Sequence, residues 1–405
     1  YKRQPSIFAV DYESIDMKQL IFIFTVAWGA VVGSRAQEVL TLDDCLRWGI
    51  ENNLSLRGQR NEIQKSKYAI SENRAKLLPQ INGVANFNDN FDPPVSVTDG
   101  SAYDKPYNVT QTLQYNAAAG LQLQMPLYNQ TVYTALSISK VLDEISRLSY
   151  EKAREDLMMQ IAKMYYLGQA TAEQITLVKA NIARLEELRD ITVAFYDNGM
   201  AMEVDVKRVN INLENLQVQY DNAQAMLAQQ LNMLKYVMDY PAEKDITLEP
   251  VNAETIAPIE LTGLSENLYE LQLLQSKSDL AERQKKMISH GYIPSLTLTG
   301  NWMYTAYTDK LHHWFHSGPS NHWYRSYGLG LALRVPIFDG LDKRYKIRKA
   351  KIDLENIRLA QENTRKNLET QYVNATNDLM NNQRNFKKQK DNYLLAEDVY
   401  EVTSD

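Results

Sequence analysis

The feature that most constrains this chain is a long stretch without proline. Residues 127–240 contain none, although the chain has 12. Apolar residues recur there at helical spacing, and Phe195–Met202 (Phe-Tyr-Asp-Asn-Gly-Met-Ala-Met) interrupts the pattern near its middle. The sequence therefore predicts two very long helices over residues 128–240 that fold back on each other at this break. The first would be roughly 100 Å long at about 1.5 Å per residue, more than the width of an ordinary domain of this size.

Both predicted helices carry apolar residues at alternating spacings of four and three. This stripe runs from Leu157 to Leu185 in the first helix and from Val209 to Leu227 in the second. A seven-residue repeat of this kind predicts coiled-coil packing of the helices. An ordinary helical bundle would show a similar periodicity and is the alternative at this point.

Four short segments alternate with period two, as strands do. Residues 80–88, 117–125, 295–304 and 326–335 place apolar residues on one side and small or polar residues on the other. Residues 88–112 and 305–325 are predicted to be loops, and the strand at 117–125 is expected to end at Pro126. Each strand has about ten residues, the length that crosses a bilayer at a tilt.

Four strands of membrane-crossing length cannot close a barrel, and lipid does not tolerate open sheet edges. Several copies of the chain are therefore expected to share one barrel. Aromatic residues near the strand ends, Trp302, Tyr304, Trp323 and Tyr327, are expected at the membrane–water interface. The alternative, two exposed hairpins in a soluble protein, would leave apolar faces and edges uncovered.

The chain is an internal duplication in which each half reads helix, strand, loop, strand and long helix. Prolines mark the helix–strand junctions: Pro79 and Pro126 in the first half, Pro294 and Pro336 in the second. The first repeat covers residues 37–240, an irregular connector covers 241–264, and the second repeat covers 265–405. Pro126 and Pro336 are 210 residues apart, an offset that pairs residue 405 with 195, so the second hairpin is expected to be cut short.

The N-terminal region predicts a targeting segment. Residues 17–36 combine a basic start at Met17-Lys18, an apolar run and the small-x-small end Ser34-Arg-Ala36, which is typical of a secretory signal peptide. A membrane anchor is the alternative. Residues 1–16 do not fit a signal peptide and are interpreted as non-native upstream sequence, so the mature chain is expected to begin at Gln37.

Composition and motifs argue against several function classes. The net charge is −6 and no basic stripe accompanies a recognition motif, so nucleic acid is not an expected partner. The single Cys45 excludes a disulfide framework and is expected to be a buried, inert thiol. No nucleophile constellation or glycine-rich phosphate loop is present, so neither catalysis nor a cofactor is expected.

Two charged or metal-binding patterns have simpler interpretations. The histidines 312, 313, 316 and 322 could hold a metal ion, but an outward loop with interfacial aromatics is preferred, and no metal site is predicted. The basic run from Lys343 to Lys351 is interpreted as a solvated helix start near lipid headgroups or as a salt-bridge face, rather than as a site for an anionic partner.

The order of these features resembles the TolC-type outer membrane efflux proteins. The resemblance covers about Leu40 to Asp405 and rests on the duplicated repeats with their junctions. The junction sequences are Leu78-Pro79, Met125-Pro126-Leu-Tyr128, Ile293-Pro294 and Val335-Pro336-Ile-Phe-Asp-Gly340. It implies a mixed fold of α-helices and membrane β-strands. Long coiled-coil hairpins would form a periplasmic α-barrel, and three chains would share a 12-stranded transmembrane β-barrel.

The resemblance also implies partners and a docking site. The chain would be a homotrimer in outer-membrane lipid that works with a periplasmic adaptor (membrane fusion) protein and an inner-membrane pump. Adaptor contact would fall on the tip of the helical hairpin, where a plain turn at the glycine is the alternative. The tip residues are Tyr196, Asn198, Gly199, Met200 and Asp205.

The function expected from this resemblance is a passive exit duct in the outer membrane of a Gram-negative bacterium, extending into the periplasm. It would serve a tripartite efflux or type I secretion system whose pump supplies the energy. A periplasmic coiled-coil adaptor or scaffold is the alternative. Drug, metal ion and secreted protein all stay open as cargo.

Overall fold

The computed structural model describes residues 38–99, 106–251, 263, 265, 267–311 and 323–404. The predicted signal peptide, the upstream residues 1–16 and the histidines 312, 313, 316 and 322 lie outside these residues.

Helices make up most of the described chain. Their bounds are α1 (Leu42–Asn52), α2 (Leu54–Ala75), α3 (Gln130–Asp197), α4 (Glu203–Met238), α5 (Tyr269–His290) and α6 (Asp342–Ser404). α3 has 68 residues and α6 has 63, so both are far longer than the usual helix of a globular domain. The break between α3 and α4 falls inside the segment Phe195–Met202.

The described strands form three separate sheets. Their bounds are β1 (Glu38–Leu40), β2 (Gln80–Asp89), β3 (Val95–Asp99), β4 (Tyr107–Gln111), β5 (Tyr115–Tyr128), β6 (Ile246–Leu248), β7 (Ser295–Thr308) and β8 (Trp323–Arg334). The largest sheet is antiparallel with the order β2-β5-β7-β8. β3 pairs with β4 antiparallel, and β1 pairs with β6 in parallel.

The chain divides into two compact units. The first comprises Tyr1–Leu54 and Asp156–Ile256, and the second comprises Ser55–Glu155 and Ala257–Asp405. α3 contributes residues to both. The four-stranded sheet belongs to the second unit, and the break between α3 and α4 belongs to the first.

The core of the first unit joins α1, α3 and the end of α4. Cys45, Ile161, Leu234 and Met238 are fully buried there. The hydroxyl of Tyr165 in α3 donates a hydrogen bond to the carbonyl of Leu40 in β1 at 3.1 Å. Because Leu40 pairs with Leu248 of β6, this bond fixes the short parallel sheet to the long helix.

The apolar stripes with a seven-residue repeat form the shielded faces of α3 and α4. In α3, all nine stripe positions from Leu157 to Leu185 are buried or half-buried. The six stripe positions from Val209 to Leu227 in α4 are likewise buried or half-buried. Gly168 lies within the α3 stripe, where an added Cβ would meet Leu231 of α4 at 4.0 Å and Leu248 of β6 at 2.7 Å. The close contact at Gly168 leaves little room for a larger side chain.

The loop predicted at residues 88–112 is wrong in part. Asp89 still belongs to β2, and the hairpin of β3 and β4 occupies 95–99 and 107–111. The prolines of this segment flank the two strands without interrupting them. Residues Val95-Ser-Val97 and Tyr107-Asn-Val109 alternate as strands do, and the hydrogen bond from Asn90 N to Gln114 O extends the β2–β5 ladder by one step.

The expectation that the second strand ends at Pro126 is also wrong. β5 begins at Tyr115 and continues to Tyr128, with a register shift against β7 between Pro126 and Tyr128. Proline lacks an amide hydrogen, and the irregular pairing at this point removes the need for one. Similarly, β7 extends to Thr308, and β8 begins at Trp323 and ends at Arg334.

The connector 241–264 is not wholly irregular. It contains β6, whose partner β1 lies more than 200 residues earlier in the chain. Three residues are too few to show a period, so the sequence pattern did not reveal this pairing. α5 begins at Tyr269 rather than near residue 265.

Candidate functional site

The four-stranded sheet has two chemically different faces. Residues directly opposite each other in neighbouring strands share a face, so the register assigns each side chain to one side. Ile81, Leu123, Gly300 and Leu329 form one such row across all four strands. The alternating pattern in each strand thus becomes a continuous apolar surface across the sheet.

This surface, here called the apolar face, is exposed in the single chain. Leu329 is 80% exposed and Tyr327 is 75% exposed. Its large apolar side chains are Ile81, Phe87, Leu121, Leu123, Met125, Leu296, Leu298, Trp302, Tyr304, Trp323, Tyr327, Leu329, Leu331 and Leu333. One charged residue, Arg325, lies among them at the aromatic end, directly opposite Tyr304. Gly300 lies among them, and a Cβ there would be 3.0 Å from Cδ2 of Leu329. Exposed apolar patches of this extent mark surfaces that contact lipid or another protein.

The opposite face is mainly polar or small, and its larger or apolar exceptions are Val84, Met303, Tyr307 and Tyr324. Its members include Asn82, Asn86, Gln122, Gln124, Thr297, Thr299, Asn301, Gly328 and Gly330. Thr299 donates its hydroxyl hydrogen to the carbonyl oxygen of Gly330 at 3.3 Å. One side of the sheet therefore suits hydrocarbon and the other suits water.

The four aromatic residues singled out in the sequence lie together on the apolar face. Trp302 is directly opposite Tyr327, and its ring centre is 5.6 Å from that of Tyr304 in an edge-on arrangement. Trp323 is opposite Ala306, one row beyond Tyr304. All four occupy the end of the apolar face away from the helix junctions, while leucines dominate the other end.

The junctions at Pro79 and Pro294 have the same local structure. α2 ends at Ala75 and α5 at His290, and tight turns then lead into each proline. In the first, Leu77 N and Leu78 N donate to Arg74 O and Ala75 O. In the second, the amides of residues 291, 292 and 293 donate to carbonyls three residues earlier. A proline after such turns stops further helix, and the strand begins at the next residue.

The junctions that lead back into helices differ between the repeats. Asn129 caps α3, since its side-chain oxygen accepts from Thr131 N at 3.1 Å. The matching residue Asp339 accepts from both Lys343 N at 3.2 Å and Lys343 Nζ at 2.9 Å. Lys343 Nζ also lies 5.0 Å from the ring centre of Tyr292. Hydrogen bonding to Lys343 lowers the pKa of Asp339, which keeps this carboxylate ionised.

The tip between α3 and α4 is a defined turn. Met200 N donates to Phe195 O at 2.8 Å and Gly199 N donates to Tyr196 O at 2.9 Å, which is the Schellman arrangement. Gly199 has a φ of 74°, a left-handed conformation that glycine adopts without strain. The side-chain amide of Asn198 donates to Ala194 O at 2.8 Å. Asn198 and Gly199 therefore have a structural role in the turn, whether or not they also contact a partner.

Asp205 caps the following helix. Its carboxylate accepts from Met202 N at 3.2 Å, while Asp205 N donates to Met202 O at 2.9 Å. An acidic residue in the first turn of a helix also favours the positive end of the helix dipole. Asp205 thus fixes where α4 begins.

The tip presents apolar side chains to solvent. Met200 is 68% exposed and Met202 is 72% exposed, and Phe195, Tyr196 and Val204 are exposed beside them. The sequence reading named Tyr196 and Met200 but left out Phe195, Met202 and Val204. The sequence alone could have identified these three residues, because five large apolar residues within ten positions are unusual at a solvent-facing turn.

The remaining titratable candidates give no catalytic arrangement. Cys45 is buried, as predicted, and burial raises its pKa to about 12, which makes the thiol unreactive at neutral pH. His290 shares a 2.6 Å hydrogen bond with the hydroxyl of Thr134. In the described part of the chain, no group of three or more His, Cys, Asp or Glu residues is placed to hold a metal ion. None of the described helices is both long and apolar enough to cross a membrane.

A sheet with one apolar face, together with very long heptad-patterned helices, is typical of channel-forming outer membrane proteins. The model of the outer membrane efflux protein family matches residues 49–238. The match covers a little under half of the chain, which resembles the TolC-type members of this family. The proteins that it resembles are outer membrane proteins of transport systems, which places this chain in the outer membrane as well.

Relatives and solved structures agree with this assignment. The chain is 23% identical to outer membrane protein TolC of Vibrio cholerae over 340 residues, which are 80% of this chain and 70% of that protein. It is 24% identical to the toluene efflux pump outer membrane protein TtgC of Pseudomonas putida over 276 residues, 64% of this chain and 53% of that protein. The Campylobacter jejuni CmeC outer membrane channel superposes with a TM-score of 0.61 at 18% identity, covering 89% of this chain and 76% of that one.

Proposed function

We propose that this chain is one protomer of a homotrimeric exit duct in the outer membrane, which serves a tripartite efflux or type I secretion system. The observation that carries the proposal is the four-stranded sheet with one apolar face and two open edges. Within the described residues, β2 and β8 have no further strand beside them in that sheet.

The open edges are the reason for more than one copy. An unpaired strand edge in hydrocarbon leaves backbone amides and carbonyls without hydrogen-bond partners. Each such group costs about 2–7 kcal/mol. Pairing β8 of one copy with β2 of the next removes both edges at once. Three copies then supply 12 strands, which exceeds the roughly eight needed to close a barrel.

The two faces of the sheet give the barrel its orientation. The apolar face would contact lipid, and the polar face would line the lumen. β7 has 14 residues and β8 has 12, and a tilted strand crosses the bilayer core with about 9–11. The aromatic residues Trp302, Tyr304, Trp323 and Tyr327 would lie at the outer membrane–water interface.

The long helices would form the periplasmic part of the duct. Their shielded stripes would pack against neighbouring helices, and their other faces are rich in Gln, Asn, Lys and Glu, which suits a water-filled bore. No bond chemistry is involved, so the duct is passive and an inner-membrane pump supplies the energy.

The exposed tip would be the docking site for a periplasmic adaptor. An exposed cluster of Phe195, Tyr196, Met200, Met202 and Val204 held on a rigid turn is suited to a partner that covers apolar side chains. Replacing Met200 and Met202 together with Ser should weaken adaptor binding at least tenfold, as about 1.4 kcal/mol corresponds to that factor. Ile211→Ser on the exposed side of α4 is the control and should leave binding unchanged.

Fractionation tests the proposal as a whole. The protein should be recovered from the outer membrane as a heat-resistant trimer, and its deletion should abolish export of the cargo of its pump. Recovery as a soluble or lipid-anchored periplasmic product would instead support the adaptor or scaffold alternative.

Cross-linking tests the shared barrel directly. In a chain with Cys45→Ser, one cysteine is placed on β2 (Asn86→Cys) and one is scanned along β8 through residues 324–328. A matching pair should give a covalently closed three-chain species in the membrane, whereas either cysteine alone should give none. Failure of every scanned pair to link chains would rule out β2–β8 contact between copies.

A further inference from the structure

The start of α6 carries an unusual number of cations. Four of them, Arg344, Arg348, Lys349 and Lys351, are exposed and form no ion pair within the described residues. They are here called the cationic cluster. Their neighbours Lys343 and Lys346 are already engaged, with Asp339 at 2.9 Å and Asp342 at 2.7 Å.

This position is electrostatically unfavourable for the helix itself. The first turn of a helix carries a partial positive charge, which favours acidic residues and disfavours a cation such as Arg344. Like charges spaced three or four residues apart on one helix, such as Arg344, Arg348 and Lys351, also repel each other. Of the four, only Arg348 makes a favourable contact within the described part of the helix, since its Cζ lies 5.8 Å from the ring centre of Tyr345, so the helix itself gives little reason for the four cations.

The first repeat provides an internal comparison. At the offset of 210 residues, the cluster positions correspond to Thr134, Ile138, Ser139 and Val141 near the start of α3. None of these is charged, and Thr134, Ser139 and Val141 are buried. The same strand-to-helix connection therefore forms without cations, and the cluster is specific to the exposed start of α6.

Exposed apolar residues connect the cluster to the apolar face of the sheet. Between the end of β8 and the start of α6, Ile337 is 93% exposed and Phe338 is 81% exposed. Tyr345 and Ile352 are exposed among the cations. Apolar residues followed at once by Lys and Arg are the pattern of a segment at a membrane surface, where the stems lie in the interface and the charges meet headgroups.

The strand-proximal ends of α2 and α5 carry more basic than acidic residues. At the strand-proximal end of α2, Glu72 is accompanied by Arg74 and Lys76, and it pairs with Lys76 at 3.6 Å. At the equivalent end of α5, Glu282 pairs with Lys286 at 3.4 Å and Lys285 lies beside it. These two helix ends of a second copy would therefore bring further positive charge, and they would not neutralise the cluster.

We propose that the cationic cluster binds the anionic headgroups of phospholipids at the periplasmic surface of the outer membrane. This inference rests on the proposed membrane position of the strands. Phosphate groups would supply ion-pair partners for four cations that have none within the described residues, and each Lys or Arg near an anionic surface strengthens attachment. The cluster thereby sets the depth of the barrel in the bilayer, opposite the aromatic end of the apolar face.

The test uses the full chain and vesicles of two compositions. One is phosphatidylcholine alone, and in the other part of it is replaced by phosphatidylglycerol. Insertion measured by flotation at low salt should be about tenfold stronger or more into the anionic vesicles, and high salt should reduce the difference. The variant R344Q/R348Q/K349Q/K351Q should lose the preference. The control R384Q/K387Q/K388Q/K390Q, which removes four exposed cations from the distal part of α6, should keep it.

The outcomes separate this inference from the function on which it rests. Insertion of the wild type into both vesicles without preference would overturn the inference and leave the duct intact. Absence of insertion into either vesicle would count against the duct itself. Loss of the trimer by the cluster variant in neutral detergent would identify a contact between protomers instead of a lipid site. Equal competition by inorganic phosphate would identify a site for the free anion.

Discussion

Lys343 Nζ lies 2.9 Å from the Oδ2 atom of Asp339, at the turn where β8 leads into α6. The backbone amide of Lys343 donates to the same oxygen at 3.2 Å, so one carboxylate both caps the helix and holds the lysine side chain. Two residues of this turn, Gly340 and Leu341, have positive φ values of 66° and 68°. Leu341 is strained in that conformation, which the cap helps to maintain.

Asp339→Asn should loosen the first turn of α6. Lys343 lowers the pKa of Asp339, so the stabilisation is present above the ordinary value of 3.8 and is lost as the pH falls through the lower folded-state pKa. Amide hydrogen exchange at Lys343 should therefore be faster in the variant at neutral pH, and the wild type should approach the variant in acid. Asp342→Asn is the control, because its pair with Lys346 is exposed. Equal exchange in both variants would contradict a special role for Asp339.

Ile161→Ala should destabilise the first unit strongly. Ile161 is fully buried between α3, α1 and α4, next to Gly49, so truncation leaves a cavity. The free energy of unfolding in denaturant should fall by about 2–5 kcal/mol. Ile211→Ala, on a residue that is 61% exposed, should change it little. A small effect at Ile161 would mean that this core is loosely packed.

Gly199→Ala should strain the tip. The left-handed φ of 74° disfavours any side chain and should lower stability by about 1 kcal/mol. Gly58→Ala is the matched control: it lies inside α2 with open space around it and should raise stability by about 0.8–1 kcal/mol. Thermal unfolding of both variants measures the difference. A stabilising effect at Gly199 would show that the turn tolerates another backbone conformation.

Leu329→Arg should block membrane assembly. Leu329 lies on the apolar face, and an arginine there should cost about 2–4 kcal/mol if it reaches the bilayer midplane. Asn301→Arg places the same charge on the polar face of the adjacent strand and should be tolerated. The yield of heat-resistant trimer in the outer membrane distinguishes the two. Equal yields would show that the two faces have been assigned to the wrong surroundings.

Cys45 should resist alkylation in the folded protein. With a pKa raised to about 12 by burial, the thiolate is scarce at pH 8 and the sulfur is shielded from reagent. Iodoacetamide should label it only after denaturation. A cysteine introduced at the exposed Ser55, in a chain with Cys45→Ser, should react at once. Rapid labelling of native Cys45 would mean that α1 opens readily.

The features that the sequence predicted well are those encoded by a local period. Alternation of apolar with polar or small residues predicted all four long strands, because successive side chains of a strand point to opposite faces of the sheet. The stripe from Leu157 to Leu185 identified the shielded side of α3 in the same way. The register then placed Trp302 beside Tyr327, a contact that neither strand shows alone.

The features that were missed depend on partners far away in the chain or on exceptions to a rule. The pairing of β1 with β6 joins Leu40 to Leu248, and neither strand is long enough to show a period. The continuation of β5 through Pro126 depends on the irregular pairing with β7. Pairing of β5 with β7, which joins the two repeats into one sheet, is likewise set by tertiary structure and not by either sequence alone.

The two open edges of the sheet have a consequence for heredity. Neither edge strand is stable in lipid until a neighbouring protomer pairs with it. A protomer whose β2 edge is damaged can still pair through its β8 edge, and the resulting assembly then cannot close its barrel. In a cell that makes equal amounts of normal and damaged chains, only about one trimer in eight would be free of damaged copies. An allele with a proline in β2 should therefore be dominant over the wild type, although it removes no residue of the lumen or the tip.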